Sequence, residues 1–157
     1  MNLVAINVAL AFGWAALFGD FSTSMLAIGF IVGHACLWVV RPLYGDTGFF
    51  GRFWRSVGLI AYFHYDLVVS SVQVVWDVLT PTHRARPGVL AVPLDAESDV
   101  EIALTANLIS LTPGTLSLDV SEDRKLLYVH AMFADDPETM KAALKNGMER
   151  RVLAVTR

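Results

Sequence analysis

Two long apolar runs, Leu3 to Phe18 and Phe21 to Val40, open the chain and are parted only by Gly19-Asp20. At a rise of about 1.5 Å per residue, each approaches the roughly 30 Å of a bilayer core. The pattern therefore predicts two transmembrane helices joined as a tight hairpin, because every backbone group in lipid needs an internal partner. Residues 52–79 follow a different pattern. Wound at about 100° per residue, Arg52, Arg55, Asp66, Ser70, Gln73 and Asp77 collect within an arc of about 60°, while Leu67, Val68, Val72, Val75 and Trp76 fall outside it. A narrow polar stripe on a wide apolar helix fits two arrangements. One is a third crossing whose stripe, with Asp66, Gln73 and Asp77, meets a partner; the other is a long helix lying at the membrane interface.

The pattern changes again after "TPTHRARPG", residues 80–88, where two prolines and a glycine break any regular element. The reading is a membrane domain over 1–80, with helices near 3–18, 21–40 and 52–79, a linker at 81–88, and an α/β domain over 87–157. In that domain "GVLAVPLD" predicts a strand, with Pro93 suited to an edge position. "SDVE" at 98–101 is a capping box that starts a helix. Pro113 and Gly114 end that helix, since the residue before proline avoids the helical region and glycine accepts a left-handed turn.

From Thr115 the period is two. With "SEDR" (121–124) as the turn, Leu116 would face Val129 and Leu118 would face Leu127 on a core face. Thr115 and Ser117 would share the open face with Tyr128 and His130, a candidate partner-docking surface. Asp136 as N-cap and Pro137 at the first position begin a final helix, with Met140, Leu144, Met148, Val152 and Val155 as its apolar stripe. The order βαββα predicts half of a ferredoxin-like sandwich: a three-stranded, mainly antiparallel sheet with two helices on one face. In "LTPGT" the residues Leu111, Thr112, Pro113, Gly114 and Thr115 form a structural turn, the threonine hydroxyls bonding the freed backbone.

Composition sharpens this division. The 157 residues are 55% hydrophobic with a mean hydropathy of +0.52, too apolar for an ordinary soluble domain. No Lys or Arg occurs before Arg41, whereas the region from Pro81 onward has ordinary charge density. Arg41, Arg52 and Arg55 against Asp46 place their loop on the cytoplasmic side by the positive-inside rule. An interfacial third element then keeps the α/β domain cytoplasmic too, and that arrangement is the favoured one. A net charge of −3 without an aromatic-rich basic patch excludes nucleic acid as a partner. One cysteine, Cys36, excludes an internal disulfide and a Cys-based zinc cluster.

Gly13, Gly29 and Gly33 would allow close helix approach, the last two as GxxxG. His34 is the ionisable residue inside the apolar runs; a neutral imidazole with one helix-to-helix hydrogen bond is the favoured expectation, and a proton-relay role the alternative. No catalytic, cofactor or metal motif is present, and Ser, Thr and His on an open sheet face read as contact surface rather than as a nucleophile with its base.

The stretch "EIALTANLISLTPGTLSLDVSEDRKLLYVHAM", preceded by "RPGVLAVPLD" and two apolar runs, resembles the E subunit of the multisubunit Mrp-type (Mnh) cation/proton antiporters of bacteria. The resemblance covers the whole chain and is most specific over 87–132. It implies a non-catalytic, multi-pass subunit of the bacterial plasma (inner) membrane, bound to the other antiporter subunits and the lipid bilayer. It further implies service in assembly, stability or coupling of Na+/H+ exchange for pH homeostasis and salt tolerance. The rival from the residues alone is a membrane-anchored regulatory module whose soluble domain binds a small ligand.

Overall fold

The computed structural model describes residues 2–43, 48–81 and 84–157, so Asp46 of the basic loop and Thr82-His83 of the linker lie outside the described residues. Two compact units divide the chain, Met1–Phe53 and Trp54–Arg157. The division falls inside a helix, upstream of the 81–88 linker that the composition marks as a boundary.

In the first unit, α1 (Leu3–Phe18) pairs with α2 (Thr23–Val39). Asn2 caps α1 by accepting the Ala5 N–H, and Gly19 ends it at a left-handed φ of 66°. Asp20 belongs to the turn, where its carboxylate accepts from the Ser22 N–H at 2.8 Å, and Ser22 in turn caps α2. Ser22 therefore starts the helix later than the apolar run begins.

The three glycines are not equivalent. A Cβ on Gly29 would lie 2.8 Å from Trp14 Cβ and 2.9 Å from the Ala11 carbonyl, and one on Gly33 would lie 2.6 Å from Asn7 Oδ1, whereas one on Gly13 would meet nothing within 4 Å. Gly29 and Gly33 are the α1–α2 seam. Asn7 is fully buried there with neither side-chain polar atom hydrogen-bonded. His34 is enclosed by rings instead of hydrogen bonds, with Phe53 at 4.3 Å and Phe50 at 4.9 Å between centroids.

The long α3 (Phe49–Leu79) supplies Leu59, Tyr62 and Phe63 to the core of the second unit. That core joins them to Leu90, Val92, Ile109, Leu127, Val129, Met148 and Val152. Strands β1 (Gly88–Pro93), β2 (Thr115–Val120) and β3 (Leu126–Ala131) form an antiparallel sheet in the order β1-β3-β2, which leaves Pro93 on an edge strand. Helix α4 (Asp99–Leu111) connects β1 to β2 and begins with the Ser98–Glu101 capping box.

The final helix is interrupted. It consists of α5 (Pro137–Leu144), a π turn over Lys145–Glu149, and α6 (Arg150–Thr156). Met140, Leu144, Met148 and Val152 recur every four residues, a spacing that drifts by about 40° per step on a 3.6-residue helix. The wider π turn takes up the excess, and Met148 and Val152 stay buried. Gly147, inside this turn, leaves room for Tyr62: a Cβ there would lie 2.6 Å from the phenol oxygen. The Arg151 guanidinium lies over the Tyr62 ring, 3.6 Å from its centroid.

The hairpin register corrects the expectation for β2. Thr115, Leu116 and Ser117 pair with Ala131, His130 and Val129, and after an irregularity Asp119 and Val120 pair with Tyr128 and Leu127. Leu116 and Leu118 are therefore exposed, and Ser117 belongs to the core face with Val129. The cause lies in the turn, where the Arg124 N–H bonds the Ser121 carbonyl at 2.8 Å and Arg124 takes a left-handed φ of 61°. Next to the turn the pairing is displaced by two residues from that of a four-residue 121–124 turn, and the irregularity takes one back, so Thr115 to Ser117 are shifted by one, which exchanges the faces of a strand.

Candidate functional site

Two regions singled out from the sequence meet. The α3 stripe residue Asp66 accepts a hydrogen bond from the Thr112 hydroxyl at 3.3 Å, so the stripe points at the "LTPGT" turn. The Thr115 hydroxyl donates to the Ile109 carbonyl at 2.7 Å, and Gly114 takes φ +89°, which places α4's end and β2's start back to back. Pro113 lies between them, half-buried, and Leu111 remains exposed. Asp66 and Gln73 line a cavity of about 200 Å3 together with Tyr62, Thr112, Thr115 and Met148. That volume is below the roughly 300–1,000 Å3 of typical small-molecule pockets, whereas two more open depressions, beside Trp76 and Phe133 and along Pro93–Glu97, measure about 610 and 690 Å3. Asp77, 4% exposed, accepts the Arg84 backbone N–H and ties the end of α3 to the chain entering β1.

Tyr128 and His130 lie on the opposite side of the sheet. Their face carries exposed Val89, Leu116 and Leu118, so it is more aliphatic than the pattern of the sequence suggested. Ser117 is absent from it. Its hydroxyl donates to the Ala106 carbonyl at 2.9 Å and its N–H to Ser110 Oγ at 3.0 Å, which fastens β2 to α4.

Of two buried carboxylates, the sequence reading missed Glu149 and saw Glu101 only as a helix cap. Glu149, in the π turn, accepts from the N–H groups of Asp95 and Ala96 at 2.6 and 3.0 Å and so closes the loop between β1 and α4. Glu101 bonds the Arg157 guanidinium, the backbone N–H groups of Glu97 and Ser98, and the Thr156 hydroxyl. The Arg157 bond, foremost, and the two backbone donors hold its carboxyl well below the usual carboxylate range. The capping box marked Glu101 as a cap; nothing nearby in sequence marks Arg157, 56 positions away, as its partner.

An apolar face of α3 and an aliphatic face of the sheet are thus both exposed. The model of the Na+/H+ ion antiporter subunit family matches residues 7–155, and the chain belongs to that family. The E subunit of the Na+/H+ antiporter of Alkalihalophilus pseudofirmus is 34% identical over 154 residues, spanning 98% of each chain. That of Bacillus subtilis is 32% identical over the same share of both. Among solved structures, a chain in the Mrp complex of a Dietzia species superposes with a TM-score of 0.51 at 29% identity, covering 66% of this chain and 96% of that one.

Proposed function

We propose that this chain is a non-catalytic subunit of a hetero-oligomeric cation/proton antiporter in the bacterial plasma membrane. Its role is to hold the other subunits together and keep them competent for Na+/H+ exchange. Family membership across nearly the whole length carries this reading. In it, α1 and α2 form the two-crossing hairpin, the α/β domain is cytoplasmic, and the open sheet face docks on a neighbouring subunit. The helices measure about 24 and 26 Å, slightly less than a bilayer core, a mismatch that local thinning accommodates.

The aliphatic sheet face supports the docking role, because Val89 and Leu116, 61% and 49% exposed, flank Tyr128 and His130 and are left open by the described residues. The test is co-purification of the assembled complex with the double variant Leu116→Asp/Leu118→Asp. Both positions are exposed, so the fold is expected to survive while recovery of the other subunits drops several-fold. Full recovery and unchanged antiport would remove the sheet face from the assembly.

A further inference from the structure

Helix α3 is amphipathic in an inverted sense. On a 100° wheel, Val57, Tyr65, Val68, Val72, Val75 and Trp76 share one side, and Ile60, Val78 and Val69 widen it to an exposed arc of about 180°. Between Ser56 and Leu79 the only Asp, Glu, Lys or Arg residues are Asp66 and Asp77, and both lie on the other side; the arc itself also holds exposed His64, whose Nδ1 lies 2.8 Å from the Ile60 carbonyl. That other side meets the α/β domain at intervals, with Leu59 and Asp77 buried and Gln73 between them exposed. Leu59 enters its core, Tyr62 packs on Gly147 and under Arg151, Asp66 takes the Thr112 hydroxyl, and Asp77 takes the Arg84 N–H.

We infer that α3 lies flat on the cytoplasmic surface of the bilayer, its apolar arc sunk among the lipid headgroups and upper acyl chains and the α/β domain riding on its polar side. By length and composition α3 could cross, but the points where it meets the domain are spread too far along it. Leu59 to Asp77 spans about 27 Å, nearly the full hydrocarbon thickness. A crossing α3 would draw the domain into lipid together with exposed Asp119, Glu122 and Lys125, a cost no bilayer-spanning segment bears.

Lipid is the occupant because of the arc's breadth and chemistry. One docking helix covers a stripe of about 100°, whereas this surface is nearly twice as wide and about 38 Å long from Trp54 to Leu79. Tyr65 and Trp76, with an apolar body and a polar tip, lie along the same line as Val72, and such side chains are favoured at the headgroup level. The placement rests on membership of a membrane antiporter complex and specifies how this subunit meets the bilayer.

The test uses the full chain on a Cys36→Ser background, assembled with its partner subunits in lipid nanodiscs. Spin labels are placed singly at Val57→Cys, Val68→Cys and Val75→Cys, all exposed and on one side of α3. Collision with oxygen and with a water-soluble nickel chelate then reads their depth. A flat helix puts all three at one shallow depth, about 5–10 Å below the phosphates. A profile deep at Val68 and shallow at both ends would mean a crossing helix and overturn the inference. Immobile labels shielded from both reagents would mean a protein partner and overturn it equally. The same readings on the chain alone in nanodiscs separate this outcome from failure of the antiporter assignment, which is read by co-purification.

Discussion

Replacing Glu149 by alanine removes the acceptor for two backbone N–H groups, one of them on buried Ala96. Leaving such donors without a partner costs about 2–4 kcal/mol, so Glu149→Ala is expected to lower the thermal midpoint of the full chain in detergent by several degrees. An unchanged midpoint would mean that solvent reaches these amides. Glu101 makes an acid-side prediction. Its folded-state pKa is held below the ordinary 4.5, as are those of Asp136 beside the Thr139 hydroxyl and Asp123 beside the Ser121 hydroxyl below 3.8. A depressed carboxylate contributes fully above its unfolded value and loses that contribution as pH falls through the folded value. The midpoint is therefore expected to be flat above about pH 5 and to fall below about 4.5, with a shallower fall in Glu101→Gln; equal slopes in both proteins would contradict the assignment. At this scale the sequence reveals local bonds and conceals distant ones. The bond from Ser98 to Glu101 spans three residues and is readable; those from Glu149 to Asp95 and from Arg157 to Glu101 need the fold to exist first.

Elements were legible where a single period governs them. The apolar runs, the Asp136-Pro137 helix start and the strand alternation all express local sterics and burial, and the corresponding helices and strands form. The faces of β2 were not legible, because the one-residue irregularity near Leu118 and the turn at Arg124 each leave too faint a trace in the residue pattern. Similarly, GxxxG named Gly29 and Gly33 without saying which helix they would meet. The α1–α2 seam yields a paired prediction. Gly29→Ala forces its new Cβ against Ala11 backbone, where no side chain can yield, so α1–α2 cross-linking through engineered cysteines is expected to fall sharply. Gly13→Ala, with open space around it, should leave cross-linking unchanged. Equal effects from the two would place the seam elsewhere.

At the level of the whole molecule, the cytoplasmic placement proposed for the α/β domain predicts that Arg84→Cys and Asp123→Cys, on a Cys36→Ser background, react with a membrane-impermeant maleimide only in inside-out vesicles. Labelling of intact cells would reverse the orientation. The α3 stripe illustrates how far sequence carries at this scale: its polar arc was readable from spacing, yet its partner, the "LTPGT" turn, became visible only once Asp66 met Thr112. The inverted amphipathicity of α3 also governs how the protein can be handled in pieces. A fragment cut at the 81–88 linker loses Leu59 and Tyr62 and would begin life with a hole in its interior. A fragment begun near Trp54 keeps its interior intact but carries a greasy flank of some 38 Å into water, where it should self-associate and behave as a colloid unless a detergent or vesicle takes it up.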